Sequence, residues 1–280
     1  MDQIRQAVER AKASTPAAAE AESGRSALRQ QQGITGRSMF APRTTDVAVP
    51  IRDVELDWTH LETRRIIAHN PADPRTKSFD MLRTQVLQTM NQRNWQFLAV
   101  TSPTPGCGKT VTAINLALSI ARQPERSVLL VDLDLQKPQL ANCLGIRGGD
   151  GVPNVLKGRA RLADAMVQAH IGDHQLLVLP TESPIVGSSE WIASRAMSAL
   201  LQDIKRDFKS RTVIFDMPPM LVGDDVIALL PQIDCVLLVA AIGASTVSEI
   251  KDCNKHLQSA EVIRLVLNKA SEPTTKYYHY

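Results

Sequence analysis

The segment Pro103-Thr104-Pro105-Gly106-Cys107-Gly108-Lys109-Thr110 constrains this chain more than any other. It joins an apolar run, WQFLAVTS at 95–102, directly to a helix-patterned stretch, VTAINLALSIA at 111–121. Glycines at 106 and 108 permit backbone angles that turn peptide N–H groups inward, and a helix start adds its positive end. A strand, a glycine loop, Gly-Lys-Thr and a helix in that order is the context of a phosphate-binding loop. The usual first glycine of G-x4-G-K-[ST] is Pro103 here, so the strand–loop–helix context carries the assignment. Pro105, Gly106, Cys107, Gly108, Lys109, Thr110 and Val111 are therefore the candidate nucleotide-binding residues. Lys109 is placed to reach the β- and γ-phosphates, and the Thr110 hydroxyl to ligate Mg²⁺.

The rest of the pattern agrees with that loop. Short apolar runs at 127–133, 175–180, 212–216, 235–241 and 262–268 alternate with helix candidates at 110–122, 138–144, 189–208, 225–230 and 246–258. A further helix is expected at 79–92, before the loop. Near-continuous apolar strands separated by helices predict an α/β fold with a mostly parallel central sheet and helices on both faces. Ser189–Phe208 reads as one helix. The folded domain is expected over 56–270. Residues 1–55 read as a short amphipathic helix (2–13, with Ile4, Val8 and Ala11 at helical spacing) followed by a flexible Ala/Gln/Ser-rich linker. A helix that short is marginal alone, and docking onto a partner is the alternative to fraying.

Composition narrows the classes further. With 44% hydrophobic and 22% charged residues the 280-residue chain is neither a disordered polymer nor a disulfide scaffold. Its longest strongly apolar run, Cys235–Ile242, is too short to cross a bilayer, and its start has no apolar signal core. Four cysteines (107, 143, 235, 253) without regular spacing fit a reducing compartment. A net charge of +3 with both signs interspersed gives no reason to expect a nucleic-acid partner.

Two strands end in acid: Val128–Asp134 (VLLVDLD) and Thr212–Asp216 (TVIFD). Parallel strands leave their carboxyl ends at the edge where the phosphate loop lies. Asp132, Asp134 and Asp216 are thus candidates for holding Mg²⁺, which takes few protein oxygens and several waters. Asp224 and Asp225 directly precede VIALL and read as helix caps.

All three tyrosines of the chain, Tyr277, Tyr278 and Tyr280, fall within its last four residues. Chance placement would do this roughly once in a million chains. The polar tail 271–280 is expected to be mobile.

The runs AVTSPTPGCGKTVTAINLALSIA, VLLVDLDLQKP, TVIFDMPPML and VLNK resemble the MinD/ParA branch of P-loop ATPases. More narrowly, they resemble the bacterial tyrosine kinases of capsule and exopolysaccharide loci, which also carry a C-terminal tyrosine cluster. The resemblance spans about residues 66–280. It implies an ATP- and Mg²⁺-dependent protein-tyrosine autokinase. Lys109, Asp132 and Asp134 would be catalytic, Thr110, Asp132 and Asp216 would bind metal, and Tyr277, Tyr278 and Tyr280 would be autophosphorylated. Asn268 would lie near the adenine or serve as a strand-end turn residue. The implied partners are a membrane-spanning polysaccharide co-polymerase, further copies of the chain and a tyrosine phosphatase, with a cytoplasmic location at the inner face of the membrane. A nucleotide-dependent switch ATPase without kinase activity is the alternative. Departures are visible: the family's E-x2-R-x2-R oligomerisation motif falls on Lys77, Asp80 and Arg83, and Gln136 stands where an arginine is expected after D-x-D. Thr104 replaces the lysine that partition-type relatives carry.

Overall fold

The computed structural model describes residues 51–149, 151–209, 211–257 and 260–270. In chain order the elements are β1 Arg52–Glu55, α1 Trp58–Thr63, α2 Thr76–Arg93, β2 Phe97–Thr101, α3 Lys109–Ala121, β3 Val128–Asp132, α4 Leu140–Leu144, α5 Gly151–Leu156 and α6 Leu162–Ala165. They continue with β4 Val167–Ile171, β5 His174–Leu179, α7 Ser188–Ile192, α8 Arg195–Asp207, β6 Thr212–Asp216, α9 Asp225–Leu229, β7 Cys235–Ala241, α10 Val247–His256 and β8 Glu261–Asn268. The strands form one sheet in the order β1-β4-β5-β3-β6-β2-β7-β8. Every pairing is parallel except the β4–β5 hairpin.

The apolar runs form central strands because both of their faces are covered. Leu98 and Val100 of β2 enter one core cluster and Phe97 and Ala99 the other, and Leu130 and Leu129 of β3 divide likewise. Phe97 meets Phe215 of β6 edge-on with ring centroids 5.1 Å apart. That geometry adds on the order of 1 kcal/mol to the burial of the two rings. All four cysteines are buried thiols, and burial pushes Cys235 up to about 12 and Cys253 to about 11.

Several elements depart from the sequence expectation. The sheet begins at Arg52, four residues before the expected domain start, because β1 pairs with β4 in register Arg52↔Val167. Neither strand has a continuous apolar run, since both lie towards the sheet edge where one set of side chains meets solvent. The expected single helix at 189–208 is two helices. Ser194 has extended backbone angles and its hydroxyl accepts the Met197 N–H, which starts α8 afresh. Residues 2–13 and the tail 271–280 lie outside the described residues.

Two polar anchors fix α3, the helix that follows the phosphate loop. Asn115 is wholly buried; its oxygen accepts the Ile67 and Ala68 amides at 2.8 and 2.9 Å, and its nitrogen donates to the carbonyls of Arg65 and Val111. Asp80 of α2 accepts from Arg83, Ser119 and Arg122. Arg83, the surviving arginine of the oligomerisation pattern, is thereby engaged within the chain, its guanidinium also donating to the Ser119 carbonyl. Asn115→Leu should strand two buried amides and cost roughly 2 to 4 kcal/mol. Urea unfolding should record this as a lower midpoint at unchanged slope.

Candidate nucleotide-binding site

β2 lies between β6 and β7 in the sheet, so the loop that leaves it opens between their carboxyl ends. Gly106 and Gly108 adopt φ of +80° and +91°. The positive φ at 108 favours glycine, and a side chain there would also displace the Asn268 amide from its place on the loop. α3 starts at Lys109, immediately after this turn.

Lys109 is enclosed by acid. Its Nζ stands 2.8 Å from Asp134 Oδ2 and 3.5 Å from Asp216 Oδ1, and it donates to the Thr110 hydroxyl at 3.3 Å. Register explains the convergence: Asp132 of β3 and Asp216 of β6 are direct neighbours across the sheet, and Asp216 pairs on its other side with Val100 of β2. Burial pulls the ammonium down, but Asp216, Asp134 and Asp132 together outweigh it, leaving the Lys109 pKa above its ordinary value.

The acids differ in what they face. Asp132 is fully buried, its oxygens accepting the backbone amides of Asp134 and Leu140 at 3.1 Å each. Burial, reinforced by the Asp216 charge, raises its pKa well above the ordinary carboxylate value. Asp216 is likewise raised by burial, against the pull of Lys109 and the Thr110 hydroxyl, and its Oδ2 has no hydrogen-bond partner. Asp134 lines a cavity of about 440 Å³ together with Pro105, Gly106, Gly108, Lys109, Thr110 and Val111.

Cys107 does not line that cavity. Its side chain is buried, with Sγ 3.3 Å from the Ser245 hydroxyl, while its carbonyl accepts from Asn268 at 2.9 Å. Asn268, at the end of β8, is thus brought onto the phosphate loop from the β7–β8 side. Asp225 corrects the cap expectation. Asp224 occupies the N-cap position without a side-chain cap bond, and Asp225 is the first residue of α9. Its buried carboxylate accepts Gln136 Nε2 at 3.1 Å, Ser188 Oγ at 3.2 Å and the Ser189 hydroxyl. Gln136 and Asp225 both line the cavity. The sequence signal for Asp225 was an acid shortly after Pro218-Pro219; its partners at 188 and 189 come from a distant segment. Tyr277, Tyr278 and Tyr280 lie outside the described residues.

A mostly parallel sheet with a glycine loop running into a helix, a largely enclosed lysine beside it and acids at the ends of the adjacent strands β3 and β6 defines a P-loop nucleotide-binding protein. The chain belongs to the CobQ/CobB/MinD/ParA nucleotide-binding domain family, whose model matches residues 98–279. Among its relatives is the "Putative tyrosine-protein kinase EpsB" of Ralstonia nicotianae, 30% identical over 255 residues, covering 88% of this chain and 32% of that protein. The chain therefore spans about a third of the length of that curated relative. Among solved structures it is similar to the kinase domain of the Escherichia coli tyrosine kinase ETK, at 28% identity and a TM-score of 0.63, covering 75% of this chain and 82% of that one. It is similar also to the VpsO kinase domain, at 28% identity and a TM-score of 0.62, covering 77% and 100%. The resemblance to tyrosine kinases read from the motifs is matched by these relatives. Among the described residues no helix is long and apolar enough to cross a membrane.

The buried acids set a pH dependence. Because the folded-state pKa values of Asp132 and Asp216 lie above those of the unfolded chain, the folded protein binds more protons through that window. Stability should therefore fall as pH rises from about 4 towards the raised values. Urea titrations of nucleotide-free protein in chelator, from pH 4.5 to 7.5, should show this slope, and Asp132→Asn should flatten it.

Proposed function

We propose that this chain is a Mg²⁺-dependent protein-tyrosine kinase that transfers the γ-phosphoryl group of ATP to its own C-terminal tyrosines, Tyr277, Tyr278 and Tyr280. The observation that carries the proposal is Lys109, which follows the glycine loop, lines the cavity and is ion-paired to another cavity-lining residue, Asp134. Kinase names among its relatives and the tyrosine-restricted tail favour transfer to tyrosine over a switch that only hydrolyses ATP.

The residues present suit Mg²⁺. Asp216 keeps an unpartnered oxygen next to the Thr110 hydroxyl, and Asp132 stands beside it in register. Among the described residues no group of three or more His, Cys, Asp or Glu side chains forms a metal cage. Mg²⁺ takes few protein oxygens and completes its shell with waters and phosphate. Thr110, Asp216 and Asp132 would hold it, and it would neutralise charge on the phosphate oxygens.

Pro105 to Val111 would cradle the phosphates, and Lys109 would exchange Asp134 for phosphate oxygens, stabilising charge on the transferring group. The freed Asp134 carboxylate would take the phenol proton, since it faces the cavity while Asp132 is tied to two amides. As the phenolic oxygen bonds to the γ-phosphorus, the bond to the β–γ bridging oxygen breaks and its electron pair leaves with ADP. Asn268 would flank the nucleotide on the side away from the acids. The twelve residues beyond Asn268 extend at most about 40 Å, enough for a second copy's site to receive the tail. Each added phosphate brings about −1.5 to −2 charges, so modification would weaken that contact. On the family resemblance read from the motifs, the chain would act at the inner face of the membrane with a polysaccharide co-polymerase, docking through residues 2–13, and be reset by a tyrosine phosphatase.

Intact-mass spectrometry after incubation with Mg-ATP and co-polymerase should find up to three phosphates, mapping to the three tyrosines. Lys109→Met and the triple Tyr→Phe chain should carry none. ATP hydrolysis without phosphotyrosine would instead identify the switch.

A further inference from the structure

The cavity beside Lys109 extends beyond the phosphate loop in one direction only. Its remaining walls come from residues that follow β3 and β6: Gln136, Lys137, Pro218, Pro219, Val222 and Asp225 among them. None of its lining follows β7 or β8, the strands on the other flank of the loop, where Asn268 is bonded to Cys107. A nucleotide whose base lies on the Asn268 side leaves this half of the cavity to another group.

The surfaces there differ in character. Pro105, Pro219 and Val222 present an apolar wall, and Val222 is 56% exposed at the rim. Asp134, 4% exposed, lines the same cavity. Gln136 is fixed by its bond to Asp225, the first residue of α9, which Ser188 and Ser189 at the start of α7 hold in turn, so three separate segments meet here. An acceptor whose hydroxyl bonds to Asp134 in this cavity would lay its body along those apolar side chains. A rigid apolar ring with a hydroxyl at its far end matches that path, since such a side chain gains from apolar contact along its body and a polar partner at its tip.

We propose that this half of the cavity is the acceptor subsite. In it Pro105, Pro219 and Val222 select an aromatic ring, next to a wall fixed by the Gln136–Asp225 bond. The inference rests on the kinase function proposed above and adds the residues that choose tyrosine.

The test uses the full chain with Tyr277, Tyr278 and Tyr280 changed to phenylalanine, which removes every tyrosine, and the peptide SEPTTKYYHY as the sole acceptor. Val222→Glu places a charge where the ring would lie at an exposed position that folding does not depend on. The KM for peptide should rise at least tenfold, while the KM for ATP stays within twofold. Val222→Leu should keep both near the parent values. Unchanged peptide KM in Val222→Glu, or an equal rise for both substrates, overturns the subsite. Anisotropy of a labelled peptide on the ADP-loaded chain reads the same surface without transfer. Weaker binding by Val222→Glu than by the parent supports the subsite, and equal binding overturns it. A parent chain that binds peptide but makes no phosphotyrosine overturns the kinase proposal alone.

Discussion

One ammonium and three carboxylates share a buried volume at the carboxyl edge of the sheet, and most of the architecture follows from bringing them there. Asp132 and Asp216 end adjacent strands, so register alone sets them side by side, and Lys109 enters from the helix that follows the strand next to Asp216. Such a cluster is costly without a ligand, because each buried charge loses its hydration and the acids outnumber the lysine. A polyphosphate with a divalent cation changes that balance: the lysine gains anionic oxygens and the acids gain a cation. The raised pKa values of Asp132 and Asp216 are the unliganded side of the same arrangement.

The phosphate loop is held from several directions. Asn268 grips it from the β8 side, Gly108 permits that close approach, and Asn115 ties the first turns of α3 to the segment before α2. The opposite flank is a cavity whose far wall is locked by Asp225. A loop bonded to Asn268 on one flank and bordered by a cavity on the other would give the proposed transfer separate places for nucleotide and acceptor.

The sequence made the centre of this structure legible and its periphery much less so. Strands buried on both faces leave unbroken apolar runs, and the glycine loop and strand-end acids leave local motifs, so β2, β3, β6, β7 and the cluster around Lys109 could be read directly. β1 and β4 could not, because their exposed positions break the apolar run into a pattern that loops share. The break at Ser194 hid inside a longer helical periodicity, since one capping hydroxyl decides it. Asp225 was misread for a related reason. An acid before an apolar run has the form of a cap, and only the fold brings Gln136, Ser188 and Ser189 around it.

Calorimetric titration of the full chain with ATP, in Mg²⁺ and in chelator, tests the central claim that this acid-lined lysine is built for a metal-bound polyphosphate. One nucleotide per chain, bound at least tenfold more tightly with Mg²⁺, is the result the structure requires. Absent binding, or binding indifferent to Mg²⁺, would contradict it.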